Sequence, residues 1–265
     1  MPKKDAPLVN EIEKQKKKPK HRRYGYRRIC EILCRKGYLV NHKRVYRLWL
    51  QCGFKLPKKQ RKRKHFNGNS ANACDQKCAE HKDHVWSYDI VEDKLENGRK
   101  VRMLNIVDEF TRENLSIDVG FSITGYVVTE VLRYLFNVRG EPDYIRSDNG
   151  PEFIADKVKR FLADSCVETL YIEPGSPWEN GYIESFNSRL RDELLNGEIF
   201  LHIDELRYVA ERWRMDYNHY RPHSSLGYMT PAEYAKLCED VGCFKQRKHK
   251  TGQIQLCETL SQEVD

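Results

Sequence analysis

The chain has 265 residues, enough for one large domain or two small ones, and 39% of them are hydrophobic. No run of 18 apolar residues occurs and the first twenty residues are charged, which argues against a membrane span or a secretory leader and predicts a soluble, cytoplasmic protein. The formal net charge of +8 hides an asymmetry: residues 1–66 hold 23 Lys/Arg against 4 Asp/Glu, the remainder 24 against 35, so the first part suits a polyanion such as nucleic acid.

In chain order, residues 1–54 read as a small helical domain. In GYRRICEILCRKG, Tyr26, Ile29, Cys30 and Leu33 follow the i, i+3, i+4, i+7 rhythm of an amphipathic helix, and Gly37 ends it. Asn41 caps a second helix, NHKRVYRLWLQCG, whose apolar stripe is Val45, Leu48, Trp49 and Cys52 and whose stop is Gly53. Two short helices around a tight turn form a helix-turn-helix candidate. Lys43, Arg44 and Arg47 lie off the stripe of the second helix and are its candidate DNA contacts, suited to phosphates and base edges in a major groove.

Residues 55–84 read as a basic and polar linker, with Lys58 to Lys64 placed to track a phosphate backbone. Nine cysteines, irregularly spaced, suggest thiols rather than disulfides. Cys74, Cys78, His81 and His84 form a compact group whose types suit zinc. Its C-x3-C-x2-H-x2-H spacing leaves almost no loop between the pairs, so it is taken as part of the linker.

From residue 85 the rhythm changes. VWSYDIVED, RKVRMLNIVDEFT and NLSIDVGFS are three strands with short connections, which predicts an antiparallel meander. TGYVVTEVLRYLFNVRG is a helix with Val127, Val131, Leu132 and Leu135 on one side. DYIRSD is a short strand ending at Asp148, EFIADKVKRFLADSC a helix and ETLYIEP a strand. Pro174 and Pro177 break the chain before a helix from about Glu179. The order βββαβαβα over residues 85–200 predicts an α/β fold, a mixed sheet with helices on its faces. Residues 201–265 are expected to be a helical extension and tail.

Three acids stand out within this pattern. Asp89 lies in the first strand, Asp148 at the end of the fourth, and Glu184 on the last helix, with 35 residues between the latter two. Two divalent ions roughly 4 Å apart can hold the attacking and leaving oxygens of an in-line phosphoryl displacement, and such ions prefer carboxylate oxygens. A shared site requires the first and fourth strands to be neighbours. Ile183, Phe186, Leu190 and Leu194 form the apolar stripe of the last helix, leaving Glu184, Ser188 and Arg191 on another face; Asn180 stands one turn before Glu184. Asp108 and Glu109 in NIVDEFT compete for the same role.

The contexts of these acids resemble the catalytic core of bacterial insertion-sequence transposases in the retroviral-integrase superfamily. The likeness is to the second-reading-frame product of two-frame elements, whose signature is Asp, Asp and Glu with 35 residues between the last two. YGYRRICEILCRKG and NHKRVYRL resemble its helix-turn-helix; VDEFTREN, SDNGPEF, ENGYIESFNSRLRDELL and YNHYRPHSSLGYMTPAEYA resemble blocks of its core. The resemblance implies a ribonuclease H-like fold and a polynucleotidyl transferase that cleaves element ends and joins the freed 3′-hydroxyl to target DNA. It assigns Asp89, Asp148 and Glu184 as catalytic ligands of two Mg2+ or Mn2+ ions, and Arg191, seven after Glu184, as a DNA contact. It implies double-stranded DNA as partner, a homo-oligomer on that DNA, a nucleoid-associated location and an upstream-frame partner or fusion. Arg221, His223 and Ser224 in the extension are either DNA contacts or a structural cap. The other classes compatible with the sequence are a DNA-binding protein with a non-catalytic core and a nuclease of RNA–DNA hybrids.

Overall fold

The computed structural model describes residues 5–54, 77–172 and 180–240. The basic cluster Lys58 to Lys64, Cys74, Pro174 and Pro177 lie outside them.

Three helices build the N-terminal unit: α1 (Ala6–Lys16), α2 (Tyr26–Arg35) and α3 (His42–Gln51). The sequence reading anticipates α2 and α3 but not α1. Among its lysines and glutamates, α1 needs only Leu8, Val9 and Ile12, which bury against Ile29, Leu33, Val45, Leu48 and Trp49. Asn41 does cap α3: its Oδ1 accepts from the Arg44 N–H at 2.9 Å. A cap of this type contributes about 1 kcal/mol. Gly37 ends α2 at φ +87°, a left-handed conformation that a side chain resists, and lets Tyr38 N–H reach the Leu33 carbonyl at 3.0 Å.

The core is a five-stranded sheet of order β3-β2-β1-β4-β5. Its strands are β1 (Val85–Lys94), β2 (Lys100–Asp108), β3 (Asn114–Gly120), β4 (Tyr144–Ser147) and β5 (Glu168–Tyr171). The first three form the expected antiparallel meander, while β4 runs parallel to β1 and β5 parallel to β4. With α4 (Gly125–Arg139), α5 (Asp156–Asp164) and α6 (Gly181–Glu193) the order is βββαβαβα, as the sequence predicts.

Alternation along the strands sorts residues between two cores. Trp86, Tyr88, Leu104 and Ile106 pack with Val128, Leu132, Leu135 and Phe136 of α4 and Val158 and Leu162 of α5. Val91, Met103 and Val107 pack on the other face with Ile183, Phe186 and Leu190 of α6 and with Leu206, Ala210 and Tyr217 of α7 (Ile203–His219). Asp89 shares the parity of Val91 and so belongs to the α6 face. The apolar side of α4 is rotated from the expected one: Val128 and Phe136 are buried, whereas Val127 and Val131 are only partly so. The final helix, α8 (Pro231–Asp240), packs against α7.

Ion pairs join the N-terminal unit to the core. Lys20 lies 3.2 Å from Asp216, Arg28 3.7 Å from Glu193, and Arg35 2.9 Å from Glu233.

Candidate active site

Strand pairing sets the site. β1 and β4 are in register with Trp86 opposite Ile145 and Ser87 opposite Arg146. Two residues further along each strand, the same register brings Asp89 level with Asp148. Asp148 stands just past the end of β4 and is exposed; its Oδ1 accepts from Gly150 N–H at 3.0 Å. Gly150 is a glycine for a reason of space. A Cβ there would lie 3.0 Å from that same carboxylate oxygen and 3.2 Å from Glu152 Oε2. Asn149 pins the turn by donating to the Ile172 carbonyl at 3.1 Å.

Glu184 comes from the first turn of α6 and is exposed. Ile183, Phe186 and Leu190 hold α6 to the sheet, and Phe186 is fixed edge-on by Trp213 and Tyr217 of α7, at 5.6 and 5.1 Å between ring centroids. One turn after Glu184, Asn187 is buried. Its Nδ2 donates to Asp89 Oδ2 at 2.7 Å, and its Oδ1 accepts from Asn105 Nδ2 at 2.8 Å. The other Asp89 oxygen accepts from Ile90 N–H at 2.7 Å.

Burial pushes the Asp89 carboxyl up to about 6, and the charges of Asp148 and Glu184 push the same way, against its hydrogen bonds from Ile90 N–H and Asn187. The three acids therefore share one electrostatic site. Among the described residues none of the three has a Lys or Arg ion-pair partner. Carboxylate oxygens are the ligand type that hard divalent ions prefer.

The competing acids have structural partners. Glu109 is buried and pairs with Arg146 Nε at 2.8 Å, while Ser87 Oγ donates to the same oxygen. Asp108 is fully buried and accepts from Thr111 Oγ1 at 2.8 Å and Phe110 N–H at 3.0 Å; Arg139 lies 3.6 Å away.

Comparison with known proteins gives the family. The HTH-like domain family matches residues 3–64, and integrase core domain families match residues 79–177 and 165–231. An uncharacterized 31.7 kDa protein of the insertion element IS407 of Burkholderia multivorans is 39% identical over 81% of this chain and 76% of its own length. The chain belongs to the insertion-element transposases.

Other members include the transposase InsD of the element IS2 of Escherichia coli, 29% identical over 80% of this chain and 73% of that protein. An uncharacterized 39.2 kDa protein of IS476 from Xanthomonas euvesicatoria is 40% identical over 81% of this chain, which spans 61% of that relative. A solved simian T-cell lymphotropic virus intasome structure, in complex with PP2A regulatory subunit B56 gamma, shares the fold: TM-score 0.51, 17% identity, 74% of this chain and 67% of that one.

The other expected site residues are dispersed across this family member. Lys43 is exposed on α3. Arg44 and Arg47 both pair with Asp5, at 2.6 and 2.8 Å. Arg191 is exposed on α6 and donates to the Glu92 carbonyl at 3.1 Å. Arg221 and His223 are buried: Arg221 grips Glu193 at 2.7 Å, the structural alternative of the two. Of the Cys/His group, Cys78 is exposed, and His81 and His84 stack 4.5 Å apart beside Asp143, within 4.8 Å between potential ligand atoms. His84 Nδ1 accepts from Glu80 N–H, so the neutral ring carries its proton on Nε2.

Asn187 was not anticipated from the sequence. Its signal was present: a polar side chain three residues after Glu184, at the border of the apolar stripe. No helix among the described residues is long and apolar enough to cross a membrane.

Proposed function

We propose that Asp89, Asp148 and Glu184 hold two Mg2+ or Mn2+ ions, and that the chain cuts phosphodiester bonds at the ends of its element and joins them to target DNA. The observation that carries this reading is the half-buried Asp89 carboxyl, pressed by two other carboxylates with no Lys or Arg paired to it among the described residues. Integrase core domains work with a divalent metal, and the donor set here fits one.

Held by these residues, the ions would supply Lewis acidity and would lower the pKa of the attacking hydroxyl. The protein supplies position. The rigid β1–β4 pair fixes two carboxylates, and α6, clamped by α7, fixes the third. Asn187 holds the Asp89 carboxylate in one orientation by donating to it. A water or DNA 3′-hydroxyl then attacks phosphorus in line, the bond to the leaving 3′-oxygen breaks, and the attacking proton passes to solvent. In the joining step the freed 3′-hydroxyl repeats the displacement on target DNA.

Arg191, on the exposed side of α6, and Lys43, on α3, are positioned to meet backbone phosphates. Joining two element ends to a target calls for more than one copy on the DNA, and an upstream-frame partner or fusion would add recognition of those ends.

The test is cleavage of a duplex carrying the element terminus, in Mn2+, by the wild type and Glu184→Gln. Cleavage is lost in the variant and DNA binding persists. Undiminished cutting by Glu184→Gln would overturn the assignment.

A further inference from the structure

Beside the three acids, α6 presents a second functional face. Tyr182, Ser185 and Arg189 repeat at helical spacing and line a cavity of about 390 Å³. Its other walls come from separate parts of the chain: Arg28 on α2, Arg112 in the β2–β3 turn, and Arg221 with His223 after α7. Four guanidinium groups thus converge on one space from four segments.

Their charge is poorly balanced. Arg221, 2% exposed, is gripped by Glu193, and Arg28 reaches the same carboxylate at 3.7 Å. The Arg112 and Arg189 side chains make no ion pair or hydrogen bond among the described residues, and Arg112 Nη1 is shut off from solvent without such a partner. The Arg112 guanidinium instead sits over the Tyr182 ring, 3.8 Å from its centroid. Its backbone sits at φ +63°, a left-handed conformation that a non-glycine residue resists, held by Arg112 N–H donating to the Asp108 carbonyl at 2.9 Å. His223 feels all four arginines: burial first and then their charges push it down to about 2, so it adds no cation, and it faces Arg221 Nη1 at 3.1 Å.

Crowded cations with one shared carboxylate are unfavourable in a partly closed cavity unless an anion enters. Planar guanidinium forks match phosphate oxygens, and the hydroxyls of Ser185, Ser224 and Ser225 add donors. A DNA strand lying over Glu184 runs past Ser185 and Arg189 on the next face of the same helix. We propose that this cavity seats a backbone phosphate of the DNA engaged by the active site, with Arg112 and Arg189 as its principal ligands. The assignment rests on the DNA-cutting reading for its occupant. Because Arg28 belongs to the helix-turn-helix unit, the phosphate would tie that unit to the catalytic helix.

The test uses the full chain, a duplex oligonucleotide and metal-free buffer, so catalysis plays no part. Each of Arg112→Gln and Arg189→Gln should weaken binding severalfold and flatten the slope of log affinity against log salt by roughly 0.9, the loss of one phosphate contact. Arg189 is exposed, so its variant folds even if the Arg112 variant does not; Arg133→Gln, on the outer side of α4, should leave affinity and slope unchanged. In a parallel arm, millimolar inorganic phosphate should raise the thermal midpoint of the wild type and not of Arg189→Gln.

Wild-type affinity and slope in Arg189→Gln would overturn the proposal. So would phosphate stabilisation of the wild type without any change in DNA binding by the variants, which would mark the cavity as a site for free phosphate. Failure of the wild type to cut DNA in Mg2+ or Mn2+ would overturn the proposed function and leave these binding results standing.

Discussion

Asn187 donates to Asp89 across the gap between α6 and the sheet, at 2.7 Å, and is itself oriented by Asn105 at 2.8 Å. A carboxylate that ligates metal needs one oxygen kept in place, and partners of this kind typically change metal affinity or activity by about 10- to 100-fold when removed. Asn187→Ala is expected to require correspondingly more Mn2+ for half-maximal cleavage. A metal titration of activity checks it, and an unchanged metal requirement would show that Asn187 serves only packing.

Asp108 makes stability depend on pH. Its carboxyl is raised to about 6 from an ordinary 3.8, first by burial and then by the Asp83 charge, with Arg139 opposing. A group raised in this way holds its proton in the folded chain after the unfolded chain has lost it. The stabilisation is present below about pH 4 and is lost as pH rises through about 6. Asp108→Asn removes this dependence, so its stability relative to wild type should rise by up to about 3 kcal/mol between pH 4 and pH 7. Urea unfolding of both proteins at the two pH values measures the difference; a constant gap would contradict the shift.

Asp5 restrains α3. Its carboxylate takes Arg44 and Arg47 together, and Arg44 holds it below the usual carboxylate range. Removing this carboxylate takes one negative charge from the surface of α3 and releases Arg47 from its ion pair. Asp5→Asn should bind duplex DNA more tightly by several-fold and steepen the salt dependence by roughly one to two counterions. Fluorescence anisotropy across a salt series reads both, and weaker binding by the variant would show that the ion pairs hold α3 in its DNA-binding pose.

Much of this was legible in local rhythm. The apolar spacing of α2 and α3, the Asn41 cap and the strand order could each be read within about fifteen residues. The neighbourhood of β1 and β4 followed from the chemistry of Asp89 and Asp148, not from any local signal. What escaped were partnerships across long separations. Asp5 meets Arg44 and Arg47 on a different helix; Arg28, Arg112, Arg189 and Arg221 share a cavity although nothing in their local sequences links them. The charged α1 escaped for another reason. Its buried stripe of Leu8, Val9 and Ile12 is short, and the lysines around it mask an amphipathic helix as a basic tail.

The parallel pairing of β1 with β4 also bears on when destructive chemistry becomes available to a cell. A chain emerging from the ribosome can fold the β1–β3 hairpins early, yet Asp89 gains Asp148 only after a crossover through α4. Glu184 follows still later, and the aromatic clamp on its helix waits for Trp213 and Tyr217. A truncated or half-translated product that stops before α7 lacks that clamp on the helix that carries Glu184. Assembly order thus brings the three acids and the clamp together only in a chain made through α7.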